Sequence, residues 1–215
     1  VAGVELLQKV RPDGTSIAHI ASAMGSMDVL DFVANHPGLG PKFIRRRISN
    51  GETVALQAAQ RGDVTMLEYV LNVAGNDLLR KTRSDGTSIA HVAALRGTLQ
   101  VLRFVAERTD LGSQFLSDAD NRGFTAAHFA AQRGDVAMLK YLNTVVGVEL
   151  LRKASPQNDT IAHFGTAAGS KAVVAFIAEH ADLGSQFLSD ADIFGNTAAH
   201  LAAQRGDVAM LEFLE

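Results

Sequence analysis

The 215-residue chain has no cysteine, so disulfides and thiol nucleophiles are both excluded. That absence fits either redox compartment and leans towards an intracellular, cytoplasmic setting. No stretch approaches the roughly 18 uncharged apolar residues of a spanning helix, so membrane insertion is not expected. Charge of one sign is lacking too. Twenty Lys and Arg face 23 Asp and Glu, a net of −3, whereas phosphate binding needs a clustered basic surface. Nucleic acid is therefore not an expected partner. The opening residues, Val1-Ala-Gly-Val-Glu5, show neither the basic-then-apolar layout of a signal peptide nor an initiator methionine, which reads as a segment of a longer protein. The motifs H-E-x-x-H, G-x-S-x-G and G-x-G-x-x-G are absent. Gly165 to Lys171 is glycine-rich but lacks the order of a phosphate loop. With no nucleophile–base pair, an enzyme is not expected, nor a cofactor or metal.

What the chain has is repetition, the first thing to seek in any sequence. DLGSQFLSDAD at 110–120 returns at 182–192, and AAQRGDVAML at 130–139 returns at 202–211 with a near-copy at 58–67. GTSIAH at 14–19 returns at 86–91; the offset is always 72. A finer unit lies within that period. It begins at Gly14, Gly51, Gly86, Gly123, Asn158 and Gly195, at alternating spacings of 37 and 35. The units are 14–50, 51–85, 86–122, 123–157, 158–194 and a truncated 195–215, with 1–13 as the tail of a preceding unit.

Each unit reads as two short helices. An alanine-rich run such as Ala126 to Arg133 ends at a glycine (Gly134 there), and Ser, Thr or Asp follows as the cap of a second amphipathic helix. An apolar pair closes each tail: Phe43-Ile44, Leu78-Leu79, Phe115-Leu116, Leu150-Leu151 and Phe187-Leu188 are read as helical turns. The unit at 158 departs twice. Asn158 stands where a turn needs positive φ, and Gly165-Thr166 replaces an alanine pair, at about 1 kcal/mol for the glycine. It should be the softest internal unit.

The pattern G-x-[ST]-x-x-H-x-A-A-x-x-G followed by a second helix resembles the ankyrin repeat, six times in register. The resemblance implies an all-α, ankyrin-repeat solenoid of stacked helix–turn–helix units. The second signature position carries Ile, Val or Ala instead of proline, and the extra length falls in the tail, where the family forms a hairpin.

Several motifs invite chemistry. Five of the seven histidines occupy one repeat position: His19, His91, His128, His163 and His200. Stacked helices lie about 8–10 Å apart, while zinc ligands must sit about 2 Å from one ion. Successive histidines therefore cannot share a metal. The resemblance implies a structural pairing instead, of Ser16 with His19, Ser88 with His91, Thr125 with His128, Thr160 with His163, and Thr197 with His200. Arg-Gly-Asp occurs at 61–63, 133–135 and 205–207; its aspartate is the expected helix cap, not an adhesion signal. Asp118 to Gly123 imitates a calcium loop but lacks the later oxygen ligands. Lys42 to Arg47 is the one basic cluster, read as a solvated loop face or an import signal.

The resemblance implies protein–protein recognition, as a scaffold or adaptor, on a concave face of loop tips and first helices. That face takes in Thr15, Glu52, Thr87, Phe124, Asp159 and Asn196 after each anchor, and the pairs before each turn glycine, among them Ala23-Met24 and Ala167-Ala168. The binding residues expected are Gln60, Arg61, Leu95, Arg96, Arg122, Phe124, Gln132, Arg133, Phe194 and Arg205. Arg61, Arg96, Arg133 and Arg205 would form a basic column for an acidic or polar partner protein. The alternative is a targeting domain of a larger enzyme or secreted bacterial effector, whose catalytic part lies outside the segment. The last unit carries no polar replacement of Leu201, Val208 or Leu211, so a monomer with weak end-to-end self-association is expected.

Overall fold

The computed structural model describes residues 3–108 and 114–215, in two compact units, Val1–Leu111 and Gly112–Glu215. Both are built from the same helix pair. In the first unit the pairs are Ile17–Met24 with Met27–Asn35, Val54–Arg61 with Val64–Ala74, and Ile89–Arg96 with Leu99–Ala106. In the second they are Ala126–Arg133 with Val136–Val146, Ile161–Ala167 with Lys171–Glu179, and Ala198–Gln204 with Val208–Leu214. Within each unit the first helix of one pair packs on the first helix of the next. Alanine permits this close approach: Ala55, Ala58, Ala59, Ala93, Ala94, Ala130 and Ala131 are fully buried between neighbours. Second helices bury larger residues, such as Met66, Leu67, Val70 and Leu71, each contributing about 1.5–3 kcal/mol.

Local signals start and stop many of these helices. Gly25, Gly62, Gly97 and Gly134 end first helices in the left-handed conformation. Asp63, Asp135 and Asp207 then accept the N–H groups of Met66, Met138 and Met210 to start second helices. That fixes the Arg-Gly-Asp triplets as turn and cap. The tails form short helical turns at Pro41–Ile44, Asn76–Arg80, Gln114–Ser117, Val148–Arg152 and Ser185–Ser189. The hairpin of the family is reduced to one isolated antiparallel bridge, Arg47 with Thr53, among the described residues.

Between pairs runs one turn, repeated throughout. The anchor N–H bonds back three residues, as Gly14 to the Arg11 carbonyl, and the Arg11 N–H bonds to Thr15. The five anchor glycines have φ from 81° to 88°, and Asn158 is the one non-glycine at positive φ among the described residues, at 60°. Consecutive turns are joined by backbone bonds: Ser49 to Asp13, Ser84 to Asn50, and Ile193 to Gln157. At the corresponding place before Asn158 stands Pro156, which has no N–H to give. Gly165 differs from its sequence reading. A Cβ there would lie 2.5 Å from Cγ1 of Val173, so glycine makes room for a β-branched neighbour and is not merely a weak helix former.

Candidate functional site

The histidine position comes first, because it shapes the loop face. Ser16, Ser88, Thr125, Thr160 and Thr197 each form a capping box with the histidine three residues on. The cap N–H donates to Nδ1, at 3.0 Å for His128 and 3.1 Å for His163. An accepting Nδ1 places the ring proton on Nε2. That proton is given to the next turn: His128 to the Asp159 carbonyl at 3.1 Å, and His163 to the Asn196 carbonyl at 2.9 Å. His19 differs, since its buried Nε2 has no partner within bonding geometry. Burial holds its pKa below the ordinary 6.5, with the backbone of Arg46 and Glu52 offsetting only part of that. These rings fasten turns and are spent on that.

The arginine position separates into two kinds. Arg61 reaches back over Gly25 and donates to the Ala23 carbonyl at 3.1 Å. Arg205 repeats this over Gly169, donating to the Ala167 carbonyl at 2.7 Å. Both satisfy carbonyls left orphaned at the end of the preceding first helix. Their acceptors are thus not the aspartates two residues on, which cap the second helices. Arg96 is exposed and makes no hydrogen bond or ion pair among the described residues; Arg133 is exposed at the end of its helix.

Gln60, Arg61 and Arg96 meet in the first unit, around a groove of about 340 Å³ completed by Ala23, Ile48, Glu52 and Gln57. Glu52 is 95% buried and ion-paired with Arg83, and Gln60 approaches its other oxygen at 3.4 Å. Gln57 aligns with Ile20, Val92, Phe129, Phe164 and Leu201 in the other pairs, and its Oε1 is buried without a partner. Leu95 is exposed on the helix that carries Arg96.

The second unit has a larger pocket, about 530 Å³, lined by Gln132, Asp159, His163, Phe164, Ala167, Ala168, Asp192 and Leu201. Phe164 is held edge-on by Phe124 at 4.9 Å and by His128 at 5.4 Å. Arg122 stacks on Phe124 at 4.8 Å. Asp192 accepts the side-chain amide of Asn196 and two backbone N–H groups, which holds its carboxyl below the usual range. Phe194 is 79% exposed and lines none of this pocket. Sequence reasoning missed Gln57, Phe164 and Asp192. The signal for Gln57 was present, as a lone polar residue in an apolar column; for Phe164 and Asp192 no sequence signal separates them from packing and turn residues.

The basic cluster is largely spent on structure. Arg45 bonds to the Ala74 carbonyl and, at 2.6 Å, to Asp77, Arg47 to the Thr82 and Gly51 carbonyls, and Arg46 lies over Phe43. At the end of the chain Val208, Phe213 and Ile193 are exposed, while Leu201 and Leu211 are half-buried. No helix among the described residues is long and apolar enough to cross a membrane.

Stacked helix pairs with capped turns and a side-chain-rich face define a helical repeat protein. The family model for ankyrin repeats, in three copies, matches residues 55–153. Residues 55–153 thus match ankyrin repeats, which are generally protein–protein interaction modules and typically without catalytic activity. No curated protein matches the chain.

Proposed function

We propose that the chain is a scaffold or adaptor module that binds a partner protein on the face made by its loop tips and first helices. One observation carries this. Arg96 and Gln57 line a groove, yet neither side chain completes its hydrogen bonding within the protein. An uncommitted guanidinium beside an unpartnered buried amide oxygen is poor internal design and good interface design, since arginine is prominent among binding hot spots and unmet polar groups gain most from a partner. The partner side chains that suit this groove are acidic or hydrogen-bonding. Arg61 and Arg205 contribute charge while holding carbonyls, so they support the face more than they read it.

Selection of binders from a displayed peptide library on the 215-residue protein tests the reading. Arg96→Ala should weaken an enriched peptide by about 1–2 kcal/mol and reduce the salt dependence of its binding. The fold should change by under about 0.5 kcal/mol, as for exposed sites generally. Arg133→Ala, on the same repeat position, serves as the comparison. Enriched peptides whose affinity ignores Arg96, Gln57 and Gln60 alike would place binding on another surface.

A further inference from the structure

The pocket of the second unit lies where one pair is trimmed to two small residues. At the two positions before the turn glycine, four of the six pairs carry Gln60-Arg61, Leu95-Arg96, Gln132-Arg133 and Gln204-Arg205, the first carries Ala23-Met24, and this one alone carries two small residues, Ala167-Ala168. Two truncated side chains leave a cavity of about 530 Å³, within the range of small-ligand sites, about 300–1,000 Å³. Its apolar wall is Phe164, Ala167, Ala168 and Leu201, and its polar wall includes the acidic residues Asp159 and Asp192. Phe164 is braced by Phe124 and His128, so its ring is in place before anything binds. The neighbouring aromatic face already carries a guanidinium, that of Arg122 over Phe124.

We infer that this pocket receives a basic side chain, lysine or arginine, from a partner protein; the inference rests on the reading of this face as a binding surface. An apolar stem fits against Ala167, Ala168 and Leu201, and its cationic head is drawn to the acidic Asp159 and Asp192 and to the Phe164 ring. An acidic group would be repelled by Asp159 and Asp192, and a purely apolar one would bury them without a counter-charge. A metal ion is a poorer occupant. Asp192 already accepts three N–H donors, Asp159 accepts the Ser155 hydroxyl at 3.0 Å, and His163 spends its Nε2 on the Asn196 carbonyl. Arg205, which could have competed from the same face, is tied to the Ala167 carbonyl. The pocket therefore complements the first unit's groove in sign.

The test is a methyl NMR titration of the 215-residue protein with three probes: the N-acetyl methylamides of lysine, of arginine and of uncharged norleucine. Shifts at the methyls of Ala167, Ala168 and Leu201 should saturate with lysine or arginine at a concentration about tenfold below norleucine, and the cation that saturates first identifies the side chain. Asp159→Asn with Asp192→Asn keeps amide oxygens for the turn bonds and removes both charges; it should erase the tenfold preference. Should that variant fail to fold, Ala168→Arg decides, since it restores the arginine common to other pairs and should abolish the shifts. Norleucine matching the cations, or shifts that survive Ala168→Arg, would overturn the assignment. A complete absence of shifts would also remove the pocket, while leaving the binding face itself to the separate Arg96 experiment.

Discussion

The two units use one framework, yet one recess in each is lined with contrasting side chains. In Val1–Leu111 the first-helix face offers Arg61, Arg96, Gln57 and Gln60 around a buried, paired Glu52. In Gly112–Glu215 the corresponding positions offer Phe164, Ala167 and Ala168 beside Asp159 and Asp192. Beneath both lie the same capping boxes, the same anchor turns and the same alanine seams. The difference teaches where this repeat is free to vary. Residues that hold the turns are locked by hydrogen bonds to the next pair, whereas the two positions before the turn glycine are largely exposed. Chemistry can change there without touching the stack.

The sharpest way to break the comparison is to make the second unit conform. Gly165→Ala restores the residue found at that place in every other pair, and helix propensity alone would favour it by about 1 kcal/mol. The added methyl meets Val173 at 2.5 Å, and overpacking of that kind costs about 1–3 kcal/mol. Denaturant unfolding should show net destabilisation, relieved when Val173→Ala is added. A more stable Gly165→Ala protein would mean that the close approach to Val173 relaxes freely.

A smaller effect separates the histidines. Removing His163 strands the Thr160 N–H and takes one of two donors from the Asn196 carbonyl, which keeps the Asp192 N–H, while His19 has only its Nδ1 bond to lose. His163→Ala should therefore cost more than His19→Ala by about 1 kcal/mol, the value of one net hydrogen bond. Equal losses in unfolding experiments would show that packing of the ring, not the bond to the next turn, decides its worth.

The smallest effect is in pH. Burial lowers the pKa of His19, so the folded state favours the neutral ring and the unfolded chain takes up the proton first. Stability from this group is fully present above the unfolded value of 6.5 and is lost as pH falls from there towards the lower folded value. His19→Gln keeps an acceptor at the third helical position and removes the titration. The stability difference between the two proteins should thus depend on pH below about 6.5; a constant difference would mean that the ring titrates alike in both states.

Much of the frame was legible before any coordinates. Anchor glycines, turn glycines, aspartate caps and histidine boxes are local devices, and six repetitions make local devices visible. The tails show where legibility stops. Val4-Glu-Leu-Leu7 and Val148-Glu-Leu-Leu151 have the same letters and both begin short helices, yet Leu150 and Leu151 are buried while Leu6 is exposed. Helix formation was written in the segment; burial depended on what lay against it. The arginines give the same lesson. Their column can be drawn from the sequence, but only the structure divides Arg61 and Arg205, seated on carbonyls of the preceding helix, from Arg96, which is not.

By itself the sequence determined the periodicity, the helix ends and the class of fold, because these follow from φ preferences, capping and helical spacing within about a dozen residues. Tertiary structure alone decided that Gly165 is required by Val173, that Pro156 interrupts the bonding between turns, and that Phe164, Asp159 and Asp192 line one cavity. Each of those joins residues whose separation in the chain says nothing of their distance in space, and distance is what sets contact, charge and cavity.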